Sequence, residues 1–456
     1  MTTATRDGAR ERSMGNGLPA VRADLPPGPT HLPYLRLFDY VWRPLPFLED
    51  AQRRYGDPFT IRLGAMPPVV IMSDPGAVRE VFTGDPELLR SGEANAALAA
   101  GLGRHSVLLL DGAEHLRERK LMLPPFHGER MRVYGDLIAS VAERRIADWP
   151  AGRPFAVAPS MRAIALEVIM RAVFGMDDAE RLERVRRALV RFIDTAAPPR
   201  RLLMLLLLKP GGTAVRAWQR VAPTLKRVDA ILLEEIARRR ADPASAERTD
   251  ILSMLVQARD DRGEPLSDEH LRDELVTLLA AGHDTTATGL AWAIERLARE
   301  PAAVERLRTE LEAGDEDYLD ATIKETLRLR PVVPFVFRHL AAPMTIGGRD
   351  YPAGVRVAPC THLVHRRPDL YPEPHAFRPE RFLGPAPSGY TWFPFGGGTR
   401  RCLGAAFATF EMRTVLRTLL RAGVVSAPDP APERVGRRGI TLVPAQGARV
   451  VWHPVA

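Results

Sequence analysis

The 456-residue chain is 45% hydrophobic and 26% charged, proportions that build a large folded core and exclude a disordered or fibrous chain. Its net charge of +8 is spread along the whole length between acidic residues, with no basic block interleaved with aromatics, so no nucleic-acid partner is expected. Two cysteines, Cys360 and Cys402, exclude a disulfide framework, and residues 1–17 lack the apolar stretch of a signal peptide, which makes the cytoplasm the expected compartment. In chain order, residues 1–24 read as a disordered tail. Leu25–Pro33 is a stiff, proline-rich lead-in to one domain spanning 25–456. Phe59–Leu63 (FTIRL) and Val69–Met72 (VVIM) read as strands of a small sheet, and Asp74–Phe82 as a helix.

From about residue 114 to 330 apolar residues recur three and four apart, as in Met161–Gly175 and Thr224–Ala241, and predict helix almost throughout. The apolar run Leu202–Leu208 is far shorter than the roughly 20 residues of a membrane span. Leu275–Ile294 is long enough, yet His283, Asp284 and several threonines at its centre would be penalised in hydrocarbon. It is expected to be the central helix of a core, and no membrane span is expected. Between Pro331 and Pro359, Met344–Val357 reads as a hairpin. Residues 366–401 are rich in proline and aromatics without periodicity, and loops of that length inside a compact protein usually serve function. The last helix is expected over Leu403–Leu420. The predicted fold class is mainly α with a smaller β region, in a single domain.

Several stretches carry chemistry, and most are ambiguous alone. His115 and Arg119 share one helix face, which by itself describes a solvated basic surface. Ala280–Thr286 (AAGHDTT) puts Gly282 inside a helix at a cost of about 1 kcal/mol against alanine, which predicts a local opening or a close approach. A buried Asp284 beside Thr285 could relay protons; a kinked helix with a solvated aspartate would look the same. His283 reads as a packing residue. Glu325 and Arg328, three apart, make an ordinary helical pair worth about 0.2–0.5 kcal/mol. In Phe393–Gly404 (FPFGGGTRRCLG), three glycines let backbone N–H groups approach the Cys402 sulfur, the following helix presents its positive end, and Phe393 and Phe395 can exclude water. The first two favour a thiolate.

Phe395, Gly398, Arg400, Cys402 and Gly404 stand in the order Phe-x-x-Gly-x-Arg-x-Cys-x-Gly. This loop resembles the haem-binding loop of the cytochrome P450 family, and the resemblance extends over roughly residues 25–455. It implies the cytochrome P450 fold, haem b (iron protoporphyrin IX) as cofactor, and Cys402 as the metal ligand, with Phe395, Arg400 and Gly404 beside it. Ala280–Thr286 is similar to the family's oxygen-activation segment, which implies catalytic roles for Asp284 and Thr285. Arg381, in FRPERF, would complete a Glu-Arg-Arg network with Glu325 and Arg328. His115, Arg119, Arg338 and Arg400 would bind the haem propionates.

The implied function is a monooxygenase of secondary metabolism that inserts one atom of dioxygen into an apolar small molecule, by hydroxylation or epoxidation. No Gly-rich dinucleotide fingerprint accompanies the motifs, so electrons are expected from a separate ferredoxin or similar protein with its reductase. The protein is expected to be a monomer. Arg400, Arg401, Arg413 and Arg417 suggest a basic face for that carrier. The expected pocket lining (residues 91–103, Leu202–Leu208, Ala280, Ala281, Val332–Val336, Gly439–Thr441) has almost no charge and favours apolar ligands. A peroxide-using, isomerising or coupling haem-thiolate enzyme and a non-catalytic haem sensor are the alternatives.

Overall fold

In a computed structural model of the chain, which describes residues 24–29, 33–62, 66–126, 130–175, 178–200, 221–260 and 263–455, the central helix runs unbroken over Asp268–Leu297. The tail at residues 1–23 and the Leu202–Leu208 run lie outside the described residues. Ser267 caps the helix by accepting from the His270 N–H at 3.2 Å, with Asp268 and Glu269 in the first turn, where carboxylates complement the helix dipole. It is buried along most of its length because helices pack on it from several sides. Gly282 does not open the helix. Its missing side chain instead admits Ile169 of the helix Ala158–Phe174, whose Cγ1 would lie 3.2 Å from an added Cβ. Gly289 does the same for Met412 of the last helix, with Sδ at 3.2 Å. The main apolar core collects around these crossings, with Ile164, Leu290, Ala291 and Leu416 fully buried.

The expected N-terminal sheet is present. Phe59–Ile61 pairs antiparallel with Val69–Met72, which pairs parallel with Arg356–Pro359; Arg338–Leu340 and Leu89–Arg90 complete five strands. All four residues of Val69–Met72 are buried, as their unbroken apolar run requires. The predicted hairpin is shorter than expected. Met344–Ile346 pairs with Arg349–Tyr351 across Gly347 and Gly348, both at positive φ, and Arg356–Pro359 leaves it for the larger sheet. A three-stranded sheet joins Pro154–Ala156, Arg449–Pro454 and Gly423–Ser426. A last hairpin, Val435–Arg438 with Thr441–Pro444, lies against the central helix, where the Trp292 indole N–H donates to the Leu442 carbonyl at 2.8 Å.

Residues 366–401 contain little regular structure beyond short turns at Pro379–Phe382 and Gly398–Arg400. They are held by a buried ion pair. Arg328 donates to both Glu325 oxygens, at 2.6 and 2.8 Å, and to the carbonyls of His365 (2.7 Å), Pro374 (2.8 Å) and Ala376 (3.1 Å). Glu325 also accepts the Arg378 N–H at 2.9 Å and lies 3.5 Å from the Arg381 Nε. Both partners of the central pair are fully inaccessible, so breaking it costs far more than breaking the exposed helical pair the spacing alone suggests.

Removing one partner from such a pair leaves an uncompensated buried charge and typically costs about 3–5 kcal/mol. Glu325→Ala should therefore lower unfolding stability by about that amount in urea titrations. A loss below about 1 kcal/mol, the surface range, would contradict the anchoring role.

Candidate active site around Cys402

The loop that carries Cys402 is shaped before it reaches the sulfur. The Phe393 N–H donates to His365 Nε2 at 3.1 Å, the Gly396 N–H to the Phe393 carbonyl at 2.9 Å, and the Cys402 N–H to the Phe395 carbonyl at 2.9 Å. Gly396 and Gly398 sit at φ 69° and 64°, a region that side chains other than glycine resist. The loop also lies hard against the helix Pro75–Thr83. A Cβ on Gly397 would fall 2.2 Å from the Phe82 ring, and one on Gly398 would fall 1.9 Å from the Phe82 carbonyl oxygen. The last helix begins at Ala405 rather than Leu403, with Gly404 at its N-cap.

Cys402 is exposed and Cys360 is fully buried. Crowding by protein raises the Cys402 pKa, opposed by the Gly404 N–H and by the charges of Arg119 and Arg401. Burial pushes Cys360 up to about 12, an inert thiol. Phe395 is half-buried and packs on the main core.

Around the sulfur the structure gathers His115, Arg119, Arg338 and Arg400 from three separate segments. His115 lies on the helix Gly112–Met122 and is 2% exposed, with Nδ1 lacking a hydrogen-bond partner. Burial first, then the positive charges of Arg400, Arg119 and Arg338, lowers its pKa to about 3. Arg338 lies on the strand Arg338–Leu340 and donates to the Phe337 carbonyl at 2.8 Å; burial and Arg400 lower its pKa to about 10. Burial also lowers Arg119. Arg400 is partly compensated: it pairs with Asp111 at 2.6 Å and donates to the carbonyls of Val107 and Leu110. Three arginines and a neutral, unpartnered imidazole thus face one another with a single carboxylate among them. Such a donor set fits a ligand that brings its own carboxylates to a position next to a cysteine.

On the central helix, Ala281 is exposed and Thr285 half-buried, whereas His283 and Asp284 are buried. The Thr285 hydroxyl donates back to the Ala281 carbonyl at 2.5 Å. Asp284 accepts from Arg438 Nε at 3.2 Å, and Arg438 also donates to Asp194 at 2.6 Å. Burial lowers His283 to about 4, in keeping with a packing residue.

Asp111, Arg438 and Asp194 have no local signature. Asp111 lies far from Arg400 in the chain, as Arg438 does from Asp284, so only the folded chain pairs them. The expected basic face is weaker than the sequence implies. Arg413 pairs with Asp320 at 2.6 Å and Arg417 with Glu316 at 2.7 Å, Arg400 is drawn inward, and Arg401 alone of the four is exposed.

A family model described as Cytochrome P450 matches residues 26–448. The chain is 44% identical over 432 residues to a protein named cytochrome P450 135B1 of Mycobacterium bovis, covering 93% of this chain and 91% of the relative. It is 42% identical over 402 residues to one named cytochrome P450 137 of Mycobacterium tuberculosis, covering 88% and 84%. Among solved structures, cyanobacterial CYP120A1 with bound retinoic acid superposes with a TM-score of 0.81 at 25% identity, covering 94% of this chain and 99% of the other.

His115 offers a test in the ligand-free chain. With a folded pKa of about 3 against an ordinary 6.5, it takes up a proton more readily unfolded than folded, so its contribution is complete above about pH 6.5 and lost as pH falls toward 3. Wild-type stability should drop between about pH 7.5 and about pH 5, and His115→Phe should flatten that drop. An unchanged slope would place His115 in a solvated setting.

Proposed function

The chain belongs to the cytochrome P450 family of haem-thiolate monooxygenases, and we propose that it inserts one atom of dioxygen into an apolar small molecule, using electrons from a separate carrier protein. The carrying observation is the accessible Cys402 beside three arginines and the neutral imidazole of His115, with Asp111 the one carboxylate paired among them. Haem b, with one iron and two propionates, matches that donor set. Cys402 would hold the iron, with the Gly404 N–H and the Arg119 and Arg401 charges favouring its thiolate. His115, Arg119, Arg338 and Arg400 would hold the propionates. Arg400 does so while keeping Asp111, since a guanidinium has five donors.

Bound there, the group would supply an iron at which dioxygen is activated, with a thiolate ligand that favours O–O cleavage. The chain's own part is to deliver protons and exclude water. Thr285, its hydroxyl tethered to the Ala281 carbonyl, has its oxygen still able to accept a second hydrogen bond. Asp284, next in the chain, is buried but reaches half-buried Arg438 and exposed Asp194 through the ion pair described above. That arrangement supports a route in which Asp284 takes protons from the Arg438 side and passes them toward Thr285. Presence of both groups weighs against the peroxide-using and sensor alternatives, neither of which needs such a relay.

The lining supports an apolar substrate. Residues 91–103 are largely alanine, leucine and glycine, and Val332 is tied to the final hairpin by the Leu442 N–H at 2.8 Å. Retinoic acid, bound by the cyanobacterial relative, is a long hydrocarbon with one carboxylate and belongs to the same broad class.

Two outcomes test this reading. The reduced, carbon-monoxide-bound protein should show the red-shifted absorption of thiolate ligation, which Cys402→Ala abolishes and Cys360→Ala preserves; the opposite pattern would move the ligand to Cys360. Thr285→Ala should retain haem but release hydrogen peroxide in place of product when driven by a surrogate ferredoxin and reductase. Product formation that stays fully coupled to electron use would remove Thr285 from the proton route.

A further inference from the structure

Two clusters of ionisable side chains lie where the first turns of the central helix meet the loop at residues 103–107 and the helix Gly112–Met122: His105, Glu269 and Asp273 in one, Glu118, His270 and Glu274 in the other. In the first, every charge has a partner. Asp273 accepts from the His105 N–H and lies against His105 Nδ1, both at 3.0 Å, and takes Arg272 at 2.7 Å, while Glu269 pairs with Arg104 at 3.2 Å. The first cluster therefore holds itself together.

The second differs. Glu118 is 5% exposed and Glu274 fully buried. Glu274 spends Oε1 on the Val107 N–H at 2.7 Å and keeps Oε2 unpartnered, and Glu118 keeps Oε1 unpartnered. His270 Nε2 lies 2.9 Å from Glu118 Oε2, yet the alignment is not that of a hydrogen bond. One ligand atom from each of the three residues lies within 4.8 Å of the other two. Two buried carboxylates at that separation cannot both stay ionised without a cation or a proton between them. No arginine or lysine of the described residues is paired with either; the one neighbouring base is His270, where burial is outweighed by the Glu118 charge and the pKa is raised, so a proton on that ring competes with a metal ion for the same place.

We propose that Glu118, His270 and Glu274 form a binding site for a divalent cation of the zinc class, separate from Cys402. Two carboxylates neutralise a 2+ ion, and one imidazole with two carboxylate oxygens and a water completes the tetrahedral arrangement such ions take. Stacking on His105, with ring centroids 5.0 Å apart and planes at 17°, orients the His270 ring, and the Val107 N–H orients Glu274. Such supporting contacts preorganise a metal site. A tetrahedral ion with bonds of about 2.1 Å sets its ligands ~3.4 Å apart, which side-chain rotation can reach from the present spacing. Glu118 shares its helix with His115 and Arg119, so the ion would fasten that helix to the central one.

The test uses haem-loaded protein, in which Cys402 is occupied, stripped with EDTA and titrated with zinc sulfate against a competing chelator dye. One zinc per chain is expected, counted separately from haem iron by elemental analysis. His270→Ala and Glu274→Gln should each weaken it about tenfold or more, while Glu269→Gln, in the self-satisfied cluster and paired only with Arg104, should retain it. Unchanged Soret absorption certifies that each variant is folded; if His270→Ala fails to fold, Glu274→Gln decides. No zinc above a surface background, or zinc bound equally by wild type and both variants, is an adventitious ion only and overturns the site. In that case a proton occupies the gap between the carboxylates.

Discussion

The irregular segment that leads into the Cys402 loop is held in place by the arginine of one buried pair, which no element of regular structure could replace there. Arg328 places its guanidinium where Glu325 neutralises it and three backbone carbonyls, from His365, Pro374 and Ala376, use its remaining donors. A buried ion pair is seldom a net gain over apolar packing. Its value here is positional. Residues 366–401 have almost no regular structure to satisfy their own carbonyls, and a planar fork with five donors does so from one point. His365, whose carbonyl Arg328 fixes, turns its ring to the Phe393 N–H, so the chain of constraint runs from Glu325 to the start of the cysteine loop without a gap.

A second theme is deliberate electrostatic imbalance. The cluster of His115, Arg119, Arg338 and Arg400 is costly in an empty fold, as the depressed pKa values of all four show. On the proposed function that cost would be recovered when the dianionic haem binds, which would tie affinity for the group to the instability of the chain without it. Asp111 limits the expense by neutralising one arginine while leaving the others available.

How much of this was legible in the sequence follows from distance along the chain. Cys402 and its glycines, and Glu325 with Arg328, are local patterns, but spacing did not say that Gly397 and Gly398 pack on Phe82 or that the Glu325–Arg328 pair is fully buried. The central helix was legible as a long apolar segment with polar residues at its centre. The partners were not: Arg438 for Asp284 and Asp111 for Arg400 meet only after folding, and neither pairing leaves a periodicity to read. Gly282 was half legible, since a glycine inside a helix signals a special requirement but does not say whether the backbone opens or a neighbour approaches. The basic face misled for a related reason, because charge in a sequence carries no record of the acids, Asp320 and Glu316, that will neutralise it.

The two adjacent glycines packed on Phe82 differ in what enforces them, and that difference should be visible in how the positions vary across relatives. Gly397 is at φ −153°, extended backbone open to any residue, and its obstacle is a side chain, the Phe82 ring. A small residue at 82 would free position 397, so these two positions can be exchanged as a correlated pair. Gly398 faces the backbone oxygen of residue 82 from a left-handed conformation. No choice of side chain at 82 relieves that, so position 398 has no compensating partner and tolerates glycine alone. One glycine is thus negotiable in evolution and design, and its neighbour is not.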